Sequence, residues 1–535
     1  MAFLDLSRAG DSDDLAGEIS DLAALGDDGG GVVTAVRTAA GTLKLIHWEI
    51  DSAGTVRRLG DSGNQAGEAS NLAIAKFGKH VVACRTAAGN LKLISWDVST
   101  AGSIVRRGDS GNQAGEASVI RLVALRDGTF LVACRTGAGA LKLISWRLND
   151  DGSLTRLADS GAAAGAVSEI ALVDVSGAGG NRVVTAVRDG DGDLKLIAWS
   201  AAPSGAIARL GDSGQQAGEA RLIRAVRTAA DQVVTSVRDG GGNLKLISWQ
   251  LSADGRTVSR QADSGSQAGA IRDNSLLALE DGVVSAVGTA GGRLKLIAWS
   301  IAPTGTVTRR ADSGNQAGSA TLIQLRPGSR APDGAGRSVT MITPVRTAAG
   351  KLKLITWAPT CIGIHVKILT EPSVSIDTMF TVMRQVYATA GISVNRLTTE
   401  RLDRPLLRDL DVGECRRGET TDEQDELFGN RNDVGANELV VYFVRSTDPP
   451  LNGCAAHPAG RPGAVVTRVA SQFTLAHETG HVLGLPHCDT DDACLLDRLM
   501  TGCGTANITS PPPDLIAVEV GTMQGSSLTS ACGGS

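Results

Sequence analysis

Aromatic side chains are nearly absent from this chain: two Tyr and seven Phe accompany seven Trp in 535 residues. A core built on large rings is excluded, and 66 glycines point instead to tight turns and small side chains in a repeated β architecture. No stretch approaches the roughly 18 consecutive apolar residues of a membrane span, so none is expected. Basic clusters are missing too; with a net charge of −5 and a pI near 5.9, nucleic acid is excluded as the expected partner. The first residues, Met1-Ala2-Phe3-Leu4-Asp5-Leu6, have neither a positive n-region nor an apolar h-region, so no signal peptide is visible. The length exceeds that of one ordinary domain.

What the chain does have is repetition. Leu-Lys-Leu-Ile-x-Trp recurs seven times, ending at Trp48, Trp96, Trp146, Trp199, Trp249, Trp299 and Trp357, which are all its tryptophans. An Asp-Ser element also recurs seven times, from Asp11 to Asp312. The unit beginning at Val119 reads as four short strands: 119–125, an Asp127-Gly128 hairpin turn, 129–135, 141–148 and 153–159. Four strands in about 50 residues is the plan of a propeller blade, and no 3.6-residue period supports a helical solenoid. The first Asp-Ser strand, residues 3–11, precedes any Trp motif, and nothing equivalent follows Trp357. Pairing 3–11 with 352–357 would close a ring of seven blades and remove two sheet edges. Residues 1–358 are therefore expected to form a seven-bladed all-β propeller.

Each repeated residue carries two readings. The Trp is a wedge between blades, or an aromatic platform for sugars. The repeated Lys (Lys44 to Lys353) and second-strand Arg (Arg37 to Arg346) form ladders with the repeated Asp, or a repeated ligand site. Asp189-Gly190-Asp191-Gly192-Asp193 is similar to a calcium loop but lacks a bidentate Glu, which favours an ordinary turn.

From about residue 359 the repeat stops. Strands are expected at 361–369 and 438–444, a helix at 373–390, and a sheet-edge strand at 463–469 that could hold an extended peptide. Residues 477–487 then read His-Glu-Thr-Gly-His-Val-Leu-Gly-Leu-Pro-His. His477 and His481 share one helix face, and Gly484 can turn the chain so that His487 joins them. Three neutral imidazoles leave a zinc ion one open position, and Glu478 is placed as the general base. This stretch resembles the extended zinc motif of the metzincin endopeptidases, and Asp497–Gly502 resembles their methionine turn. The resemblance implies an α/β catalytic domain over 359–535 and a role for Met500 as the floor of the metal site. Gly502 stands where some members carry a tyrosine ligand, so no tyrosine switch is expected. A matrixin-like or pappalysin-like subfamily is not resolved.

Seven of the nine cysteines lie in this region and suggest disulfides and an extracellular setting. Cys361 with Cys532 would join the domain ends, and two of Cys488, Cys494 and Cys503 would staple the methionine loop, leaving one thiol over. Cys488 as a further metal ligand is the alternative. Asp489, Asp491 and Asp492 read as a solvated loop or a calcium site. The expectation is a secreted zinc endopeptidase acting on protein or peptide substrates, with the propeller as a platform for a protein or glycan ligand. The competing expectation is a lectin-like or protein-binding propeller carrying a latent protease unit.

Overall fold

The computed structural model describes residues 6–27, 30–51, 54–111, 113–177, 179–279, 282–314, 317–328, 341–489 and 494–531. They form two compact units: one within Gly10–Trp357, the other holding Ala358 onward together with residues 6–9.

The first unit is a β-propeller. Six repeats each form a separate four-stranded antiparallel sheet with its strands paired in chain order. In the third, Ala117–Ala124, Thr129–Thr136, Leu141–Leu148 and Leu154–Asp159 follow one another. The expected count of seven is corrected to six separate blades. The seventh repeat's strands belong to a ten-stranded sheet instead. Its first strand is reduced to Ala320–Thr321 and Arg326–Pro327. Its Trp strand does not turn after Trp357, where Ala358–Cys361 supply no glycine, and runs on as Leu352–Ile368. Leu6–Asp11 pairs with this long strand. The Ser12 amide donates to the Leu354 carbonyl at 2.9 Å, and the Leu354 amide to Ser12 Oγ at 3.0 Å.

All seven Trp side chains are fully buried, so the sugar-platform reading is overturned: a ring without exposure has no face to stack on a sugar. Five indole N–H groups donate to a hydroxyl fourteen residues upstream, on the neighbouring strand: Trp48 to Thr34, Trp199 to Thr185, Trp249 to Thr235, Trp299 to Ser285 and Trp357 to Thr343, at 2.6–3.0 Å. Trp96 and Trp146 face Val82 and Val132 at that position, and their indole nitrogens have no partner. Cys84 and Cys134, two residues further on, are buried free thiols whose pKa values burial pushes up to about 12 and about 11.

The repeated Asp-Ser is a structural joint. Its Ser hydroxyl accepts the amide of the Trp strand beside the bulge that precedes Trp, as Ser110 does from Leu93 at 3.1 Å. Its Asp accepts the amide two residues on, as Asp109 does from Gly111 at 2.7 Å. The same Asp pairs with the repeated Lys, at 3.2 Å for Lys92–Asp109 and 3.3 Å for Lys295–Asp312. Its arginine partner is not the second-strand residue expected: Arg58, Arg106, Arg156, Arg209, Arg260 and Arg309, three residues before each Asp, make the ion pair. The second-strand arginines reach other groups; Arg135 Nε donates to the Val167 carbonyl of the next blade at 2.9 Å. The Gln of the Asp-Ser loop clasps neighbouring blades, since Gln65 Oε1 accepts the Arg106 amide at 2.8 Å and its carbonyl accepts Arg106 Nη1 at 2.9 Å.

Among the described residues, the second unit is a mixed sheet with four α-helices. Leu352–Ile368 pairs in parallel with Ile392–Arg401 and Leu439–Val444, which pairs in parallel with Gly463–Thr467. Gly463–Thr467 is fully buried and paired on both sides, so it is not the sheet edge expected of it. Gly453–Cys454, antiparallel to it, is outermost. Helix α1 (Ile376–Thr389) starts at Ser375, whose Oγ accepts the Thr378 amide at 3.1 Å, and buries Met379, Phe380, Met383, Val386 and Tyr387. Helices α2 (Asp422–Phe428), α3 (Thr474–Val482) and α4 (Ala517–Gln524) follow. No helix among the described residues is long and apolar enough to cross a membrane. Disulfides join Cys415 to Cys454 and Cys494 to Cys503, the latter closing the loop that carries Met500. Cys488 is the free thiol of that trio. Cys361 is disulfide-bonded, and its expected partner Cys532 lies outside the described residues.

Candidate metal centre

Helix α3 presents His477 and His481 one turn apart and ends at Val482. Gly484 takes φ +106°, a conformation that penalises a Cβ, and the chain doubles back to His487. Three ring nitrogens converge: His481 Nε2 lies 3.0 Å from His477 Nε2 and 3.1 Å from His487 Nε2. The opposite nitrogens fix the tautomers. His477 Nδ1–H donates to the Leu499 carbonyl at 2.8 Å, and His481 Nδ1–H to the Leu485 carbonyl at 2.7 Å. With both protons so committed, the facing Nε2 atoms of His477 and His481 have only lone pairs to offer each other. A cation between them turns that repulsion into bonding. Burial and the neighbouring His481 push His477 down to about 4, and burial lowers His481 as well, so both rings are neutral near pH 7. Among the described residues, no other group of His, Cys, Asp and Glu brings ligand atoms together in this way.

Glu478 is 7 % exposed and lies against the outermost strand, where a Cβ at Gly453 would come within 2.6 Å of its Cγ and 2.7 Å of Oε1. Burial pushes its carboxyl up to about 8. Met500 is fully buried, its sulfur against Gly480 in the second turn of α3. The Cys488 amide donates to the Met500 carbonyl at 2.9 Å, tying the His487 loop to the loop of Met500. Gly502 packs against the His487 ring: a Cβ there would lie 3.1 Å from both His487 Nδ1 and Asp489 Oδ2.

Sequence reasoning missed three supports. Asp489, read as a member of a solvated acidic loop, accepts the Leu495 amide at 2.8 Å, the Thr501 hydroxyl and the Gly502 amide, so it clamps the two loops together. Its partners in the calcium expectation, Asp491 and Asp492, lie outside the described residues. Tyr387 on α1 donates to the Ala476 carbonyl at 2.9 Å and anchors helix α3. Gly453 leaves room for Glu478. Of these, only Asp489 had a signal in the sequence, its place two residues after the third histidine. In the other calcium candidate, Asp189 accepts the amides of Asp191 and Asp193 at 3.1 and 3.0 Å, which is turn chemistry.

The three histidines and Glu478 open on a cleft of about 710 Å³, lined also by Leu451–Gly453, Ala455–His457, Pro486, Gly502, Glu414 and Arg417. Smaller clefts lie between blades: one of about 310 Å³ with Arg85, Glu116 and Arg135, another of about 340 Å³ with Glu219, Lys245 and Arg260.

No protein-family model matches the sequence, and no curated protein matches it. Among solved structures, the SapL1 lectin in complex with alpha methyl fucoside is similar at 16% identity and a TM-score of 0.37, over 53% of this chain and 94% of the lectin. A protein from Lactobacillus plantarum is similar at 11% identity and a TM-score of 0.39, over 63% of this chain and 93% of its own. Likenesses this low say nothing of activity.

Proposed function

We propose that the second unit is a zinc-dependent endopeptidase of the metzincin type and that the first is its targeting platform. The observation that carries this reading is the convergence of three imidazole nitrogens, two with their protons committed elsewhere, beside a buried carboxyl in a cleft. The donor set fits zinc: His477, His481 and His487 would hold it, leaving one position open. When bound, zinc supplies Lewis acidity toward a water and a peptide carbonyl. Glu478, in its cradle against Gly453, would hold the proton taken from the attacking water and hand it to the leaving amine. The segment Leu451–Ala456, at the sheet margin above the cleft, offers main-chain groups to an extended peptide, and Met500 and Asp489 hold the ligand loop in place. The disulfides support an extracellular setting.

Metal analysis is expected to find one zinc per chain, with peptide cleavage abolished by a chelator. Glu478→Ala should keep the zinc and lose cleavage. A zinc-loaded parent chain as inactive as Glu478→Ala would sink the reading.

A second reading, a binding propeller with a latent protease unit, is favoured by the inter-blade clefts, where Arg85, Glu116 and Arg135 group hydrogen-bonding side chains on an exposed surface. A glycan array probed with the full chain separates the two. Saturable glycan binding by a zinc-loaded chain that cleaves no protein supports the second.

A further inference from the structure

The first strands of the six blades and the segment Leu322–Arg326 together line one cavity of about 570 Å³. Arg121, Arg224 and Arg326 all open onto it. Each spends one Nη1–H on the carbonyl of its own preceding residue, Ile120 at 2.8 Å, Ile223 at 3.0 Å and Leu325 at 2.7 Å. Arg326 is otherwise occupied by Gln324 Oε1 at 2.9 Å and the Ala24 carbonyl at 2.5 Å. Arg224 lies 3.6 Å from Asp273. Arg121 has no carboxylate of the described residues within ion-pairing distance and retains four of its five N–H donors.

The acidic groups nearby, of which Asp21 and Asp273 also line the cavity, are each engaged by a backbone amide. Asp21, Glu169 and Asp273 accept backbone amides of an adjacent repeat: Leu72 at 3.2 Å, Ile223 at 3.1 Å and Ile323 at 3.0 Å. They join inner strands to one another, while the guanidinium groups face the space between. Burial, then the charge of Arg224, brings both Arg121 and Arg326 down to about 10, still cationic at neutral pH. Arg121, which no carboxylate of the described residues pairs, and the guanidinium groups of Arg224 and Arg326 on the same cavity present planar N–H forks from which an anion with several oxygens can accept.

We propose that this cavity binds a small oxyanion, phosphate or carboxylate, through Arg121, Arg224 and Arg326. Calorimetric titration of the chelator-treated full chain, so that the histidine cluster holds no metal, tests it with inorganic phosphate in one arm and succinate in the other, at constant ionic strength. Saturable one-to-one binding is expected in at least one arm, weakened at least tenfold in Arg121→Gln and in Arg224→Gln. Arg221→Gln, an exposed arginine on the same strand as Arg224, should leave it unchanged. Should a Gln variant fail to fold, the anion-dependent rise in melting temperature of the parent, reduced in Arg121→Lys, carries the same decision. Absence of saturable binding in both arms, or binding that the cavity variants leave intact, overturns the proposal.

Discussion

At the scale of single residues, the repeated Trp shows how one hydroxyl decides the standing of a buried indole. Five have a Thr or Ser partner; Trp96 and Trp146 meet Val82 and Val132 and are left with orphaned N–H groups. A buried unsatisfied donor costs about 1–3 kcal/mol, and Thr is close to Val in shape. Val82→Thr and Val132→Thr are each expected to stabilise the propeller by about 1 kcal/mol, because the new hydroxyl donates to the facing strand, as Thr34 does to Ile46, and accepts from the indole. The opposite change, Thr34→Val, should cost about 1–3 kcal/mol. Denaturant melts followed by Trp fluorescence measure both, and a Val82→Thr chain no more stable than its parent would contradict the argument. The signal stood in the sequence as a fixed spacing of fourteen residues, and Val82 and Val132 break it in the same two repeats that exchange Val for Cys84 and Cys134.

At the scale of elements, the site depends on approaches that periodicity does not encode. The ligand spacing on α3, the reversal at Gly484 and the loop of Met500 were legible because each is local: a helix face, a left-handed turn, a rare residue at a short distance. The closeness of the outermost strand to Glu478 was not, since it depends on sheet order, and Gly463–Thr467 was mistaken for the edge because Gly453–Cys454 is too short to read as a strand. Gly453→Ala places a methyl group 2.6 Å from Glu478 Cγ. The carboxyl must then leave its cradle, so peptide cleavage is expected to fall at least about 100-fold while one zinc per chain remains, read by kinetics beside metal analysis. Asp489→Ala cuts the clamp between the ligand loop and the methionine loop without touching a ligand. By the usual effect of outer-shell partners, zinc affinity should drop about 10–100-fold, measured by competition with a chromogenic chelator. The count of blades failed for a related reason: counting motifs finds seven repeats, but it does not register that the Trp strand of the last one continues to Ile368 without a turn.

At the scale of the whole molecule, the two units respond to different solution variables. Zinc bound only by the folded second unit would stabilise that unit by mass action, so a chelator should lower one thermal transition and leave the propeller's in place. The propeller answers to acid. Burial alone would raise the carboxyl of Asp109, but the Gly111 amide, Lys92 and Arg106 more than reverse this and hold it below the ordinary value; Asp61, Asp159, Asp212 and Asp312 stand likewise. A carboxyl with a lowered pKa in the folded state contributes its full stabilisation above the unfolded value of about 3.9 and loses it as the pH falls through the folded value. Because the same joint recurs around the ring, the losses occur in one pH window and add. The propeller transition is therefore expected to change little between neutral pH and about pH 5 and to fall steeply below about pH 4. Asp109→Asn should reduce stability at neutral pH by about 1 kcal/mol, since the ion pairs with Lys92 and Arg106 are lost, and should flatten the acid limb. Calorimetric scans of parent and variant across that range decide it: an acid limb equally steep in both would place the titrating groups elsewhere than in the repeated joint.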